Sequence, residues 1–362
     1  MTKTAVLLSG GVDSLVTAGI LKNQGMPLVG IHFYTGYERA QANCSDYGQR
    51  PDAQGYTARD TALQKAGLLQ QQLNIPIEIL DVSQAFQSRV IDYFIQSYQA
   101  GQTPNPCMIC NPLIKFGVCL SLARKMGAFH LATGHYAQIR QDHQSRYHLF
   151  RGKDENKDQS YFLARMNQYM LKRVLFPLGS YAKSETLSLA RQLGLTPITP
   201  LESQDVCFIP DSSYSEFLEK QPGFKPAEGP IETVDGDVIG RHQGLHRYTI
   251  GQRRGINIPA AEPYYVIRMD AAHNRLVVGP KQTVLKDTCI VLDIQWINDP
   301  PPQNTHVDTR IRYRHRAATS QLTLLNEDQA QVHFETPQSA VTPGQAAVFY
   351  HKDEVLGGGW IA

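Results

Sequence analysis

Leu8-Ser9-Gly10-Gly11-Val12-Asp13-Ser14 stands where an apolar run, Thr4–Ser9, hands over to a segment with helical spacing, Asp13–Gln24. Leu15, Val16, Gly19 and Ile20 recur on one face of that segment, as in an amphipathic helix. Two adjacent glycines let a backbone turn tightly and present bare N–H groups. Ser9 and Ser14 add hydroxyl donors, and the helix behind them carries partial positive charge at its N-terminus. Such a turn suits a leaving pyrophosphate. No Gly-Lys-Ser/Thr follows, so this is not the Walker pattern. The plainer alternative is a Gly-Gly turn with Asp13 as an ordinary helix cap.

Outward from this loop, the first half of the chain alternates. Strands are predicted at Pro27–Tyr34, Pro76–Val82 and Phe129–Thr133, and helices at Ala58–Leu73, Ala85–Tyr98 and Asn111–Met126. A polar loop, Gly36–Tyr56, interrupts them. Strands separated by helices imply βαβ units and a parallel sheet covered on both faces, with ligands at the carboxyl ends of its strands. After residue 210 prolines and glycines crowd in, from Pro210 to Gly255. Beyond Pro280 come short alternating segments, Ile290–Ile297, His306–Tyr313, Ser320–Leu325, Gln329–Glu335 and Ala346–Tyr350. They predict a small antiparallel sheet or barrel. The expected fold class is therefore α/β, with a parallel-sheet domain at 1–209, a small central domain at 210–279 and a β-barrel-like domain at 280–362.

Length supports several domains, since 362 residues exceed one ordinary core. At 42% hydrophobic and 19% charged, the composition excludes a disordered chain, a collagen and a coiled coil. No apolar run approaches the roughly 18 residues of a membrane span. Ala5-Val6-Leu7-Leu8 is too short for a signal-peptide core, so a cytoplasmic location and no membrane partner are expected. Thirty-five Lys+Arg against 33 Asp+Glu leave a net charge of +2, which neither demands nor forbids nucleic acid. Local patterning says more. As a strand, Thr309–Arg316 would align Arg310, Arg312, Arg314 and Arg316 on one face. Arg241, His242, His246, Arg247, Arg253 and Arg254 form a second basic stretch. Each reads either as a solvated face or as a track for a phosphate backbone.

Six cysteines are too few for a disulfide scaffold. Cys107 and Cys110 form a Cys-x-x-Cys, and with Asn111 read as a helix start, the helix dipole would acidify Cys110. Cys207 follows in Ser203-Gln204-Asp205-Val206-Cys207. Three readings stay open for this trio: a structural zinc site, a thiol pair for sulfur transfer, and thiolates holding an iron–sulfur cluster. Cys119 and Cys289 read as small apolar fillers, and Cys44 could face the strand ends.

Taken together, several strings resemble the bacterial tRNA-specific 2-thiouridylase family within the N-type ATP pyrophosphatase (PP-loop) enzymes. They are SGGVDS (Ser9–Ser14), TPNPCMICN (Thr103–Asn111), ATGHY (Ala132–Tyr136), NKDQSYFL (Asn156–Leu163) and VCFIP (Val206–Pro210). TVDGDVIGRHQGLHRYTIGQRRG (Thr233–Gly255), RYR (Arg312–Arg314) and TPGQAAVFY (Thr342–Tyr350) follow in the family's order. The resemblance implies ATP-dependent sulfur transfer to C2 of the wobble uridine (position 34) of tRNA through an adenylated base, releasing AMP and pyrophosphate. It implies ATP at Leu8, Ser9, Gly10, Gly11, Val12, Asp13, Ser14, Phe33 and Gly134, with Mg²⁺ held by Asp13. Cys207 would carry a persulfide and Cys110 would be the nucleophile completing the exchange. Asn105, Pro106 and Cys107 would meet the target base, and His135, Lys157, Asp158, Gln159, Arg312, Tyr313 and Gln345 would touch tRNA. The implied partners are a tRNA anticodon stem-loop and a sulfur donor, a cysteine desulfurase or a sulfur relay protein, with the enzyme a monomer.

Two positions depart from the family's pattern. Many members carry Asp where this chain has Cys107, and methionine where it has Phe33. With Cys107 the trio Cys107, Cys110 and Cys207 also matches the ligand count of a [4Fe–4S] cluster with one open iron, as in other PP-loop thiolases. The alternative function is another PP-loop adenylating ligase or amidotransferase, which would have no use for Cys110 and Cys207.

Overall fold

The computed structural model describes residues 2–38, 57–198, 206–209 and 213–362. The chain packs as two units, one of residues 1–90, 107–210 and 353–355, the other of 91–106, 211–352 and 356–362.

The first unit holds a parallel sheet. β1 (Thr4–Leu7), β2 (Leu28–Tyr34), β3 (Ile77–Asp81), β4 (His130–Ala132) and the short β7 (Val174–Leu175) lie in the order β3-β2-β1-β4-β7. All four residues of β1 are buried, because helices must cover both faces of a sheet built from parallel crossovers. α1 (Val12–Asn23) and α2 (Ala58–Leu73) supply one cover, where Leu15, Ala18, Leu21, Leu69 and Leu73 pack on Val6 and Leu8. The strand order reverses between β1 and β4, and a crevice opens at the carboxyl ends of strands at such a point. The expected strands and helices of this half are borne out to within a few residues, with one consequential exception. The helix expected from Asn111 begins five residues earlier and runs Pro106–Lys125. By length and composition it could cross a membrane, contrary to the expectation of no such run. More than half of its apolar window is buried within the protein, so it serves as a core helix.

β5 (Ala137–Gln141) and β6 (Tyr147–Arg151) form a hairpin, and Glu354 and Val355 pair with Phe150 and Leu149. In the second unit, β8 (Gly229–Thr233), β9 (Val238–His242), β10 (Tyr265–Asp270) and β11 (Arg275–Gly279) make a sheet ordered β10-β11-β8-β9. A barrel follows. β12 (Leu285–Trp296), β13 (Thr305–Arg310), β14 (Ala318–Leu324), β15 (Ala330–Ser339), β16 (Ala346–His351) and β17 (Glu354–Ile361) run β12-β15-β14-β13-β16-β17 and close through β12–β17. Val291, Val307, Leu322, Val332, Phe334 and Phe349 fill it. The closing strand is absent from the sequence expectation.

The alternating arginine strand is corrected here. β13 ends at Arg310 and the chain then turns, so no strand aligns Arg310, Arg312, Arg314 and Arg316. The Arg310 guanidinium folds back to donate to the carbonyls of Tyr313 and His315, and Arg312 donates to Ser339 O at 3.0 Å.

In the first unit, His148 bridges two carboxylates, with Nδ1 2.6 Å from Glu354 and Nε2 3.1 Å from Asp142. Burial alone would lower its pKa, but the two carboxylates prevail and raise it above 6.5. A histidine whose folded pKa is raised stabilises fully below its unfolded value and loses that contribution as pH rises through the folded one. Melting temperature should therefore fall more steeply above pH 6.5 in the wild type than in His148→Gln, measured by thermal denaturation across that range.

Candidate active site

The loop after β1 is built by its own short side chains. Gly10 takes a left-handed conformation (φ +88°), which a residue with a Cβ resists, and its carbonyl accepts from Ile198 N–H at 2.9 Å. Ser14 Oγ donates to Gly11 O at 2.8 Å, and Gly11 N–H donates to Ser9 Oγ at 3.3 Å. Gly11 precedes α1 and no side chain caps that helix. Asp13 is therefore not the helix cap of the plainer alternative. Its carboxylate turns away to Lys183, whose Nζ lies 2.7 and 2.9 Å from the two oxygens, and to the Tyr136 hydroxyl, which donates at 2.9 Å. Leu8 is buried in the sheet, and its carbonyl stands 2.7 Å from Nδ1 of His32, a ring that burial keeps neutral. Val12, the first residue of α1, packs against the cluster of Val16, Tyr136, Leu178 and Ala190, and Phe33 is half-buried near the end of β2.

Gly134 follows β4, on the other side of the strand reversal. A Cβ there would stand 2.9 Å from the carbonyl carbon of Asp13 and 3.0 Å from its Cβ. Only glycine lets the two strand ends approach this closely. The next residues are tied down from behind. Gln159 N–H donates to Tyr136 O at 2.9 Å, and Gln159 Oε1 accepts from Tyr136 N–H at 3.1 Å. Asp158 is buried and accepts from the N–H groups of Gly152 and Ser160 at 3.1 and 3.0 Å. Lys157 closes the same turn, donating its N–H to Asp154 O at 3.0 Å. As placed, Asp158 and Gln159 order this segment from inside the protein.

The cysteine helix departs from expectation for a reason written in its prolines. Pro106 occupies its first position, where a missing N–H costs nothing. Cys107 thus lies in the first turn, and Cys110 lies within the helix instead of before it. Pro112 has no N–H to offer four residues back, so the α-helical ladder cannot pass through it, and Asn111–Cys119 runs as a π-helix. Bonding from i to i+5 brings Lys115 toward the face of Cys110. Burial pushes the Cys110 thiol up to about 12 and the Cys107 thiol to about 11, so the expected thiolate character of Cys110 is overturned. Cys207 lies on an exposed turn, yet the groups packed beneath it raise its thiol too. Its neighbour Phe208 is buried against Tyr37 and Phe86, with ring centroids 6.1 and 5.7 Å away, which anchors the turn.

Cys207 lies near enough to act electrostatically on both Cys107 and Cys110. Lys115 is the cation that opposes the rise at all three thiols, and sequence reasoning missed it. Its position five residues after Cys110, with a proline between, was the available signal. Lys115 Nζ also lies 3.3 Å from Nε2 of His135. That ring is buried, neutral, and packed between Phe116 and Phe176. Cys119 is buried in the helix and Cys289 packs on the barrel core, as expected of fillers. Cys44 lies outside the described residues. Among the described residues, no three His, Cys, Asp or Glu side chains are arranged to hold a metal ion, so the trio as it stands fits neither zinc nor a cluster.

Asn105 and Pro106, in the second unit, are buried. Asn105 N–H donates to the Tyr93 hydroxyl at 3.3 Å. The residues just before them are held by the turn preceding β16. Thr103 N–H donates to Pro343 O at 3.0 Å, and Gln345 Nε2 reaches Thr103 O and Pro104 O at 3.2 and 3.3 Å. Tyr313 is half-buried beside Arg312.

A parallel sheet with a Gly-Gly turn leading into a helix at its strand reversal places the chain among nucleotide-using α/β enzymes. A family model described as "tRNA methyl transferase HUP domain" matches residues 2–211, followed by its PRC-barrel domain at 215–280 and an aminomethyltransferase β-barrel domain at 286–361. The chain belongs to the tRNA-specific 2-thiouridylase family. It is 46% identical over 360 residues to the tRNA-specific 2-thiouridylase MnmA of Desulfosudis oleivorans, covering 99% of this chain and 94% of that protein. It is 45% identical to that of Trichlorobacter lovleyi, covering 100% and 98%.

The tight approach at residue 134 generates a prediction. Gly134→Ala meets backbone and should lower the free energy of unfolding by about 1–3 kcal/mol. Gly67→Ala, in α2 with nothing within 4 Å, should raise it by up to about 1 kcal/mol. Urea titration of the two variants checks both signs.

Proposed function

We propose that this protein is a tRNA-uridine 2-sulfurtransferase that consumes ATP and acts on C2 of the wobble uridine. The observation that carries the reading is one structural unit holding both the loop with Asp13 and Cys107, Cys110 and Cys207. A ligase or amidotransferase needs the loop but not the thiols. Methyl transfer, the chemistry in the family model's description, needs neither.

The loop's amides and hydroxyls receive the pyrophosphate end of ATP, and Phe33 offers an apolar wall to the base. Mg²⁺ usually takes one or two carboxylates together with phosphate oxygens, and Asp13, one-third exposed, fits that role. The metal would neutralise charge on the leaving pyrophosphate. Uracil O2 attacks the α-phosphorus, and pyrophosphate leaves. Oxygen at C2 has then become part of AMP, a good leaving group. The terminal sulfur of a Cys207 persulfide adds to C2 and AMP departs. Attack by Cys110 on the Cys207 sulfur breaks the sulfur–sulfur bond, leaving 2-thiouridine and a Cys110–Cys207 disulfide that a reducing thiol reopens. Lys115 supplies the positive charge that lets these buried thiols ionise as they react.

Asn105, Pro106 and Cys107 are assigned to the target base, which must be splayed from its stack to be reached. Residues 1–209 form the catalytic domain, and 210–279 and 280–362 grip the anticodon stem-loop, with Arg312, Tyr313 and residues near Lys157 at the RNA. The protein acts as a cytoplasmic monomer supplied by a persulfide-bearing donor, a cysteine desulfurase or a relay protein.

The test uses purified enzyme, ATP, Mg²⁺, a persulfide donor and unmodified tRNA, reading 2-thiouridine by mass spectrometry. Cys207→Ser and Cys110→Ser should each lose thiolation by more than ~10³-fold while tRNA-dependent ATP–pyrophosphate exchange persists. Lys115→Met should slow thiolation roughly tenfold or more with exchange intact. Thiolation surviving in Cys207→Ser, or wild-type exchange that ignores tRNA, overturns the reading.

A further inference from the structure

The loop between β1 and α1 presents N–H and hydroxyl donors but no cation of its own, because no Lys or Arg occurs between Lys3 and Lys22. A departing pyrophosphate carries several negative charges, and enzymes that expel it place fixed positive charge there. Among the described residues, Lys183 reaches this place, with its ammonium on Asp13. It opens the helix Lys183–Gln192, and its N–H donates to Asp154 Oδ2 at 2.9 Å. Its side chain is 12% exposed and runs to Asp13, the residue of the loop that turns away from the helix axis. Tyr136 forms one wall of the path: the Lys183 ammonium lies 6.0 Å from the centre of its ring, and its hydroxyl lies 3.1 Å from Thr186 on the same helix.

The pair takes Lys183 largely out of water while Asp13 stays one-third exposed, and the cost of desolvating the ammonium offsets much of the attraction, so stability alone is a poor reason for it. An apolar pair would join α1 to the helix Lys183–Gln192 equally well. The pair does, however, keep an ammonium next to an anion cradle without leaving either charge bare in the empty enzyme. Lysine suits a transfer, because it is a compact point charge on a flexible four-carbon stem. We propose that Lys183 is the side-chain cation of the pyrophosphate subsite, parked on Asp13 until the nucleotide arrives and then handed to the phosphate oxygens, which frees Asp13. This rests on the reading that the loop binds the pyrophosphate end of ATP.

The probes are inorganic pyrophosphate and AMP, titrated calorimetrically into the full-length protein in EDTA, so that metal binding and turnover play no part. Lys183→Met should weaken pyrophosphate binding at least ~10-fold, with AMP bound as in the wild type. Retained AMP binding also reports that the variant is folded. Lys183→Arg, which keeps the charge, should recover most of the affinity. Asp13→Asn releases the lysine and should tighten pyrophosphate binding, a gain that Asp13→Asn/Lys183→Met should lack. Pyrophosphate bound equally by wild type and Lys183→Met overturns the proposal and leaves the ATP reading standing. Loss of both ligands in Lys183→Met makes the lysine structural and overturns it as well. A wild-type protein that binds neither ATP nor pyrophosphate overturns the ATP reading itself, and this proposal with it.

Discussion

At residue 134 the end of β4 comes so close to the loop after β1 that a side chain has no room: its first carbon would stand 2.9 Å from the backbone of Asp13. The approach follows from the strand order, which reverses between β1 and β4 and leaves a crevice at their carboxyl ends. It sets where Asp13 stands, and through Asp13 where Lys183 and Tyr136 meet it. Gln159 and Asp158 then hold the segment after Gly134 from behind. The close approach at Gly134 is to the backbone of Asp13, which cannot relax by rotating a side chain.

The helix that carries Cys107 and Cys110 is shaped by prolines. Pro106 starts the helix one residue before Cys107, and Pro112 forces the π-helical stretch that brings Lys115 toward Cys110. Burial raises the Cys107 and Cys110 thiols, which disfavours their thiolate forms. Among the described residues, Lys115 is a cation that opposes this rise at Cys107, Cys110 and Cys207. Helix geometry and thiol chemistry are thus linked through two residues that cannot donate a backbone hydrogen bond.

Much of this was legible in the amino-acid order. The loop, the alternation of strands and helices and the barrel pattern are local signals with known periods, and α1 and α2 lie within one or two residues of expectation. What escaped depends on context. The cysteine helix is expected to start at Asn111, although Pro106 is its first residue. β17, with Gly357, Gly358 and Gly359 in its middle, lacks the alternation of a strand, yet it closes the barrel. The arginine alternation suggested a strand where Arg310 bonds its own turn. Lys115 and Lys183 look like ordinary surface lysines until the fold brings them to Cys110 and Asp13. Gln345 and Asp158 came from family strings as RNA contacts. Their bonds in the structure run to Thr103, Pro104, Gly152 and Ser160, so the strings also encode scaffolding.

The central claim is that the loop activates the C2 oxygen of uridine by joining it to AMP before sulfur replaces it. Uridine labelled with oxygen-18 at O2 in the wobble position of a tRNA, followed through one turnover, tests it most directly. The account predicts one labelled oxygen in the phosphate of the released AMP for each 2-thiouridine formed, with unlabelled pyrophosphate. Labelled water with unlabelled AMP would mean that the oxygen leaves without adenylation, and would contradict it.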